Sequence, residues 1–366
     1  MLKDDNIKKS ERIGYFDIAR GIGIILVMVG HTGFLKDMVS KYIFSFHMPL
    51  FFIISGMLIS IKKEEERNVK DLLVKKAKAL LIPYLLFSIL YLLINLIEVK
   101  AGVLGTKELS LNVLFTINLY SDSTLWFLPA LFLAELMFIL PARRINKDIV
   151  TCILVILGAV SYPVFLLLNP VIAQNEQNMA VLFILRFVHM LLRGVLSASF
   201  IAVGHFLQSR IMPLYERLFE NRSSGKRLNI YYLLAGIVLM GILIPVSFMN
   251  DKVDYRRFVL GNLLFFYVGA VIGSLGLIFI SKGIKSIRVL EFYGKNSLIV
   301  MCTHLNCYVV YLAIQWAFLI NTYVSRAKDY VFMANIILVC LVLEAVLIFV
   351  INRFLPFMLG RGYERK

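Results

Sequence analysis

The sequence is poor in charge, in cysteine and in the signatures of soluble enzymes. Charged residues make up 17% of its 366 positions, against about a quarter in an average soluble domain. Four cysteines and nine prolines exclude a disulfide scaffold and a collagen-like chain. No glycine-rich phosphate loop and no kinase motif occurs. Apolar residues are abundant: 60% of the sequence is hydrophobic. This composition is typical of a polytopic membrane protein.

Ten stretches are long and apolar enough to be membrane-crossing helices, each of which needs roughly 20 residues. Backbone groups in hydrocarbon must be satisfied within their own segment, so we predict an all-α fold. The predicted spans cover about residues 14–33, 43–61, 79–97, 124–141, 149–168, 181–207, 229–248, 259–280, 297–320 and 331–355. We predict loops near 98–123 and 208–228, and a single membrane domain over residues 1–366.

The formal net charge of +16 suggests either a nucleic-acid surface or a signal of membrane topology. With the N-terminus in the cytoplasm, the inside segments carry 27 Lys and Arg residues and the outside segments carry 9. This bias follows the positive-inside rule. It predicts a multi-pass cell-membrane protein with cytoplasmic ends at residues 1–13 and 356–366, and no nucleic-acid partner.

The charged segment KKEEERNVKDLLVKKAK, residues 62–78, is a solvated face and an orientation signal on this prediction. Attraction to anionic lipid headgroups or to an incoming coenzyme A is the functional alternative.

The first predicted span carries three polar side chains on one face. In FDIARGIGIILVMVGHTG, Asp17, Arg20 and His31 share a stripe, because a helix turns by about 100° per residue. Arg20 and His31 lie roughly 16 Å apart along the axis, with Arg20 near the cytoplasmic end. Ionisable residues inside a membrane are costly, so this stripe is a functional candidate.

The second predicted span brings another histidine to a similar depth. His47 lies near the outer end of SFHMPLFFIISGML, on a helix that runs antiparallel to the first. Two histidines at one level could share a proton or a substrate hydroxyl. The alternative is that each imidazole only caps a neighbouring carbonyl group.

These motifs resemble the integral-membrane acyltransferase-3 family, and particularly its fucose 4-O-acetylase-like sugar acetyltransferases. The resemblance begins with the R-x10-H pair in FDIARGIGIILVMVGHT and with FSFHMPLFFIISGML. It continues through LIPYLL at 81–86, LWFLPALF at 125–132 and GKNSLIVMCTH at 294–304, and it covers essentially the whole chain.

The resemblance implies an O-acetyltransferase that uses acetyl-CoA as donor and a glycan as acceptor, with no metal. It also implies that the arginine and histidine of the first span, here Arg20 and His31, are functionally important. Some relatives add an extracytoplasmic hydrolase-like domain that finishes the transfer. This sequence contains no such domain, so we expect it to complete the transfer itself or to need a separate extracytoplasmic transferase.

Acyl transfer assigns chemical roles to the polar stripe. His31 is the candidate general base or, in a two-step route, a transient acetyl carrier. His47 is a candidate to assist it or to orient the acceptor. Arg20 is a candidate to contact coenzyme A phosphates from the cytoplasmic side or to fix the thioester geometry, with Asp17 orienting it. The alternative for Asp17 and Arg20 is a structural ion pair at the membrane edge.

Other polar residues within the spans are weaker candidates. Arg186 and Arg193 share one face of their span and are candidates for an anion site that binds coenzyme A or a sugar phosphate, or for interhelical pairing with Glu135 or Glu344. His304 is a candidate for the coenzyme A entrance. The candidates for contacting substrate, besides His47, are Trp126 and Glu135. Trp126 would stack on a sugar ring or, alternatively, anchor the chain in the aromatic belt.

Two other functions compete with the enzyme. A transporter or exporter of a glycan or a small anion would line its pathway with the same polar stripe. A membrane partner protein would use those groups only to hold helices together.

Overall fold

The computed structural model describes residues 13–121, 123–220, 225–284, 286–323 and 329–362. Apart from Ile13, the predicted cytoplasmic segment 1–13 lies outside the described residues, as does the end of the tail from 363 onward. The helices are α1 (Gly14–Gly30), α2 (Asp37–Phe44), α3 (His47–Lys62), α4 (Val69–Lys100), α5 (Thr106–Ile117), α6 (Phe127–Ala142), α7 (Lys147–Gln174), α8 (Met179–Phe206), α9 (Met212–Glu220), α10 (Gly225–Phe248), α11 (Leu263–Gly283), α12 (Arg288–Lys295), α13 (Ser297–Thr303), α14 (Val309–Tyr323) and α15 (Asp329–Phe354).

The all-α, polytopic membrane fold is confirmed. Within the described ranges, eight helical stretches are long and apolar enough to cross a membrane. Two further predicted spans correspond to shorter helices, namely α1 with 17 residues and the apolar segment Val309–Ile320 of α14. The count of ten spans and the cytoplasmic location of both termini stay predictions.

The predicted continuous span 297–320 is wrong, because the helix breaks between α13 and α14. The break begins after Thr303, and Tyr308 has a positive φ of 60° that an α-helix does not accommodate. The side-chain nitrogen Nδ2 of Asn306 donates to the Cys302 carbonyl oxygen at 2.9 Å and so satisfies one backbone acceptor left free by the break. His304 therefore lies at the end of a helix rather than in its middle.

The two predicted loops are also largely helical. Segment 98–123 contains α5, and α4 continues three residues past the predicted span to Lys100. Segment 208–228 begins with a π-helical turn at Leu207–Ile211 that continues α8 into α9. Polarity alone predicts loops here, but an amphipathic helix at a membrane surface is also polar on one side, so polar sequence does not distinguish the two.

Two close backbone contacts hold the bundle together. Helices α3 and α8 cross where Gly56 and Gly204 face each other's backbone. A Cβ atom on Gly56 would lie 1.9 Å from the Ile201 carbonyl oxygen, and one on Gly204 would lie 2.1 Å from the Ile53 carbonyl oxygen. Such close approach is the usual basis of helix association in membranes.

The short helix α12 packs on α1 in the same way. A Cβ atom on Gly21 would lie 2.0 Å from the Leu290 carbonyl oxygen, and one on Gly294 would lie 1.7 Å from the Asp17 carbonyl oxygen. Helix α1 is therefore in backbone contact with α12 at points on both sides of Arg20. This arrangement fixes the level of Arg20 in the bundle.

Candidate active site

Helix α1 presents Arg20 and His31 to two different cavities. The first, here called the arginine-side cavity, has a volume of about 320 Å³ and is lined by Arg20, Lys76 and Glu135 among others. The second, the histidine-side cavity, has a volume of about 830 Å³ and is lined by His31, His47 and Trp126 among others. No described side chain lines both cavities.

Three histidines meet at the histidine-side cavity. The rings of His31 and His304 have their centroids 5.3 Å apart. His31 terminates α1 and is exposed in the cavity, while His304 is fully buried behind it. His47 is buried at the start of α3 and lines the same cavity. His31 and His47 therefore line one cavity, and their equal depth in the membrane stays a prediction.

Backbone carbonyl groups fix the neutral form of two of these rings. The Nδ1 atoms of His47 and His304 lie 3.0 Å and 2.7 Å from the carbonyl oxygens of Ile43 and Val300. A carbonyl oxygen can only accept, so Nδ1 carries the proton in the neutral ring and Nε2 keeps its lone pair. Among the described residues, Nε2 of His304 has no hydrogen-bond partner. Both rings can thus accept a proton at Nε2.

The position of His304 differs from the one expected. We expected it at the coenzyme A entrance, but it lies beside His31 and does not line the arginine-side cavity. The reason is the break after α13, which ends that short helix at the level of the other histidines. The sequence predicts one continuous helix over 297–320, and the depth of His304 along such a helix does not indicate its place beside His31.

Aromatic side chains form another wall of the histidine-side cavity. Trp126 is 5% exposed, so it is a cavity residue rather than an anchor in the aromatic belt. Its ring stacks on Tyr255, with centroids 5.6 Å apart and planes 17° apart. The Arg193 guanidinium carbon lies 5.0 Å from the Trp126 ring centroid, which is within cation–π range.

The segment between α10 and α11 folds over this cavity. Backbone hydrogen bonds of 2.8 Å and 2.9 Å join Asp254 and Val259 in both directions. The turn between them buries Tyr255 and Phe258, and burial raises the pKa of Tyr255 well above its ordinary value. Asp254 lines the same cavity as His31. The sequence alone does not indicate a role for this segment, because only a tertiary contact brings it to the histidines.

The arginines of α8 lie beside aromatic residues at the histidine-side end. Arg186 donates from Nη1 to the Tyr120 hydroxyl oxygen at 3.0 Å, and Arg193 donates from Nη1 to the Tyr120 carbonyl oxygen at 3.2 Å. Neither arginine lines the arginine-side cavity. Their position therefore differs from that expected for a coenzyme A site near Arg20.

The carboxylates that we considered as partners for these arginines make other contacts. Glu135 accepts a short hydrogen bond from Ser55 and forms an ion pair with Lys76, with 3.0 Å between Nζ and Oε2. Glu344 lies 2.8 Å from the Thr303 hydroxyl oxygen. Glu135 thus belongs to the arginine-side cavity, away from the histidines with which we expected it to contact substrate.

Basic residues surround Arg20. The cations that line the arginine-side cavity are Arg20, Lys62, Lys75, Lys76 and Lys295. A neighbouring cavity of about 630 Å³ shares Lys75 and Lys295 with it and adds Lys70, Lys78 and Arg361. The two cavities together form a strongly basic vestibule.

The charged segment 62–78 is only partly a solvated face. Glu64 and Glu65 are buried, and Lys76 bridges Glu64 to Glu135 with Nζ–O distances of 2.5 Å and 3.0 Å. Lys147 forms a short ion pair with Glu65. Helix α4 begins at Val69, ten residues before the predicted span, and this brings Lys75 and Lys76 into the bundle. The hydropathy pattern does not predict the position of Lys75 and Lys76, because charged residues at the boundary of a span are assigned to the neighbouring loop.

Asp17 is buried near Arg20 on the helix that carries both. Its backbone oxygen touches Gly294 of α12, as described above. Across the described ranges, no three His, Cys, Asp or Glu side chains are placed to hold a metal ion.

The fold and the two cavities define a multi-pass membrane protein with one polar site near each end of a short charged helix. Residues 13–353 match the acyltransferase domain of the acyltransferase-3 family. The chain belongs to this family and is a membrane acyltransferase. No curated protein and no solved structure matches the chain in the searches that cover them.

Proposed function

We propose that this chain transfers an acetyl group from cytoplasmic acetyl-CoA to a hydroxyl group of a cell-surface or lipid-linked glycan. The observation that carries the proposal is the course of α1, which presents Arg20 to one cavity and His31 to the other. These residues lie about 16 Å apart along the helix axis. A donor bound at one end and an acceptor bound at the other would meet between them.

The arginine-side cavity is suited to the donor. Coenzyme A carries several phosphate charges, and lysine and arginine side chains bind phosphate through charge-assisted hydrogen bonds. Arg20, Lys62, Lys75 and Lys295 line this cavity, and Lys70, Lys78 and Arg361 extend the positive charge outward. The positive-inside rule puts this end on the cytoplasmic side, where acetyl-CoA is made available.

The histidine-side cavity is suited to a glycan acceptor. Its volume of about 830 Å³ is in the range of small-molecule sites. Asn95, Glu98, Thr124 and Asn306 line it and can exchange hydrogen bonds with sugar hydroxyl groups. Trp126 gives the wall an aromatic surface, which suits the apolar face of a sugar ring.

The chemistry requires one base and one leaving group. In the direct route, the imidazole of His31 removes the proton of the acceptor hydroxyl as its oxygen attacks the thioester carbonyl carbon. The carbon–sulfur bond then breaks, and the coenzyme A thiolate takes the proton from the imidazolium. In a two-step route, His31 itself accepts the acetyl group and passes it to the hydroxyl. His304, whose ring centroid lies 5.3 Å from that of His31, is the group next to it that can take up the proton, and His47 lines the same cavity.

Radiolabelled acetyl-CoA tests the proposal. Purified protein in liposomes should transfer or hydrolyse the acetyl group, and His31→Ala should abolish this while the protein remains folded. His205→Gln is the control. His205 is buried near the C-terminal end of α8 and lines neither cavity. The absence of both acetyl-CoA binding and turnover would refute the enzyme, and glycan flux without acetylation would favour transport. Mass spectrometry of surface glycans from cells with and without the gene would identify the acceptor.

A further inference from the structure

The basic vestibule has two compartments that adjoin at the protein surface. The neighbouring cavity of about 630 Å³, here called the tail-side cavity because Gly360 and Arg361 line it, shares four lining residues with the arginine-side cavity: Lys75, Ala79, Lys295 and Leu298. Lys75 and Lys295 are exposed, so the junction is open to a ligand. One elongated ligand that lies across the junction can contact both compartments.

The tail-side cavity is strongly positive. One carboxylate, Asp71, lines it together with five cations, which are Lys70, Lys75, Lys78, Lys295 and Arg361. The two lysines at the junction each pair with a carboxylate outside this cavity. The other three cations line the tail-side cavity only, and none of them forms an ion pair with a residue that the structure describes. Three cations and one carboxylate give the part beyond the junction a net charge of +2.

Packing and hydrogen bonds hold Arg361 at this cavity. Gly360 follows a short helical turn with a φ of 65°, a conformation that favours glycine. It packs so closely on α4 that an added Cβ atom would lie 2.0 Å from the Lys78 carbonyl oxygen. Arg361 then donates from Nη1 to Oδ1 of Asn352 at 3.4 Å, and Nδ2 of Asn352 donates to Oδ1 of Asn296 at 2.9 Å. Asn296 lines the same cavity, so Arg361 belongs to a connected wall.

The rest of the wall is largely apolar. The apolar side chains that line the tail-side cavity are those of Val74, Ala79, Leu298, Ile299 and Leu359. Such a surface can cover the face of a flat heterocycle, because burial of apolar area is favourable. The cations beside it can bind phosphate through charge-assisted hydrogen bonds. An apolar wall beside cations suits a nucleotide better than a lone inorganic anion.

The order of chemical groups along coenzyme A matches the order of the two compartments. The thioester is at one end of the molecule, the diphosphate is in the middle, and the adenosine with its 3′-phosphate is at the other end. With the thioester end toward Arg20, the diphosphate lies at the junction, beside Lys75 and Lys295. The 3′-phosphate then reaches cations that line only the tail-side cavity.

We propose that the tail-side cavity binds the 3′-phosphoadenosine end of the donor, and that Arg361 and Lys78 recognise its 3′-phosphate. The guanidinium group of Arg361 suits this group because its fork can donate two hydrogen bonds to one phosphate. The inference rests on the proposed function, since it requires a coenzyme A thioester in the vestibule. It goes beyond that function because it predicts that the enzyme distinguishes coenzyme A from its dephospho form.

The test compares acetyl-CoA with acetyl-dephospho-CoA, which lacks only the 3′-phosphate, in phosphatidylcholine liposomes. We expect wild type to have a kcat/KM about tenfold or more higher for acetyl-CoA, because hydrogen bonds between charged groups change affinity by this order. Arg361→Ala and Lys78→Gln should lower kcat/KM for acetyl-CoA and leave that for acetyl-dephospho-CoA unchanged. Arg353→Ala is the matched control, since Arg353 is an exposed arginine near the end of α15 that lines neither compartment.

A binding measurement gives a readout besides turnover. Adenosine 3′,5′-bisphosphate should displace labelled coenzyme A from wild type more strongly than adenosine 5′-monophosphate does. Arg361→Ala should remove this difference, and Arg361→Lys, which keeps the charge, should retain part of it. Thermal unfolding in detergent shows whether each variant is folded, and Lys78→Gln serves as the test if Arg361→Ala is not.

Equal kcat/KM values for the two donors in wild type overturn the inference and leave the proposed function intact. The inference also fails if Arg361→Ala loses the same factor with both donors. It fails as well if Arg361→Ala has an effect only in liposomes that contain phosphatidylglycerol, because these cations would then bind anionic lipid headgroups. A wild type that uses neither donor refutes the proposed function itself.

Discussion

The imidazole rings of His31 and His304 lie 5.3 Å apart, although they belong to helices near opposite ends of the chain. His31 is exposed in the histidine-side cavity, and His304 is buried behind it with the lone pair of Nε2 available. A base that faces the substrate and is backed by a second imidazole can hand on the proton that it takes up. On the proposed function, this pair would provide the route by which the proton leaves His31 within the membrane.

Loss of either imidazole should impair acyl transfer. We expect His31→Ala to lower kcat by about 100-fold or more, the typical contribution of a positioned acid or base. His304→Gln should lower kcat by a smaller factor and change the pH profile of kcat, because it removes the second proton acceptor. Rates measured with labelled acetyl-CoA across pH check this. An unaltered pH profile in His304→Gln would assign His304 a purely structural role.

Replacement of Arg20 should weaken donor binding. We expect Arg20→Ala to raise the KM for acetyl-CoA by about tenfold or more, since a hydrogen bond to a charged group contributes about 1.5–3 kcal/mol. Arg20→Lys should restore part of the affinity because it keeps the charge. Arg144→Gln is the control, as Arg144 is exposed and lines neither cavity. Equal KM values in Arg20→Ala and Arg144→Gln would contradict the assignment.

Acidification should weaken the fold through Glu64. Burial alone would raise the pKa of this carboxyl group, but its ion pairs with Lys76 and Lys75 outweigh burial and lower the pKa. The pairs therefore stabilise the folded protein above the ordinary carboxyl pKa, and this contribution is lost as pH falls through the lowered pKa. We expect the Tm of Glu64→Gln to depend less on pH than that of wild type. The exposed Glu66 provides the control, and a Glu66→Gln profile as flat as that of Glu64→Gln would contradict the prediction.

A methyl group on Gly56 should destabilise the bundle. In Gly56→Ala the new Cβ atom would lie 1.9 Å from the Ile201 carbonyl oxygen, so α3 and α8 would have to separate. Overpacking of this kind typically costs about 1–3 kcal/mol. Gly241→Ala is the matched control, because Gly241 also lies inside a helix but has nothing within 4 Å of the added atom. Thermal unfolding in detergent should show a lower Tm for Gly56→Ala only, and equal values would refute the close contact.

The sequence was sufficient to predict the features that depend on one helix at a time. Hydropathy located most of the apolar spans, and the helical rise put Arg20 and His31 near opposite ends of α1, where they line different cavities. Both properties follow from the rise and rotation of a single helix, which neighbours do not change. The resemblance in the first two spans also identified the family to which the chain belongs.

Features that depend on several helices could not be predicted. His304 reaches His31 only because the chain breaks after Thr303, and the break depends on contacts such as that of Asn306 with Thr124, at 3.2 Å between Nδ2 and Oγ1. Glu135 and Lys76 are far apart in sequence, and polarity alone favoured a solvated Lys76. A buried charge is tolerated only when an opposite charge offsets the free energy lost on removing it from water. For Lys76 that partner lies on another segment, so its own segment does not indicate burial.

The contact between α1 and α12 has a mechanical consequence for the donor site. Because the backbones of α1 and α12 touch at Gly21 and at Gly294, Arg20 of α1 and Lys295 of α12 belong to one packed helix pair. Lys75 and Lys76 line the same cavity from α4, a separately packed helix. On the proposed function, the phosphate groups of the donor would therefore be bound between two elements, and their affinity would depend on the spacing of α4 from α1 and α12.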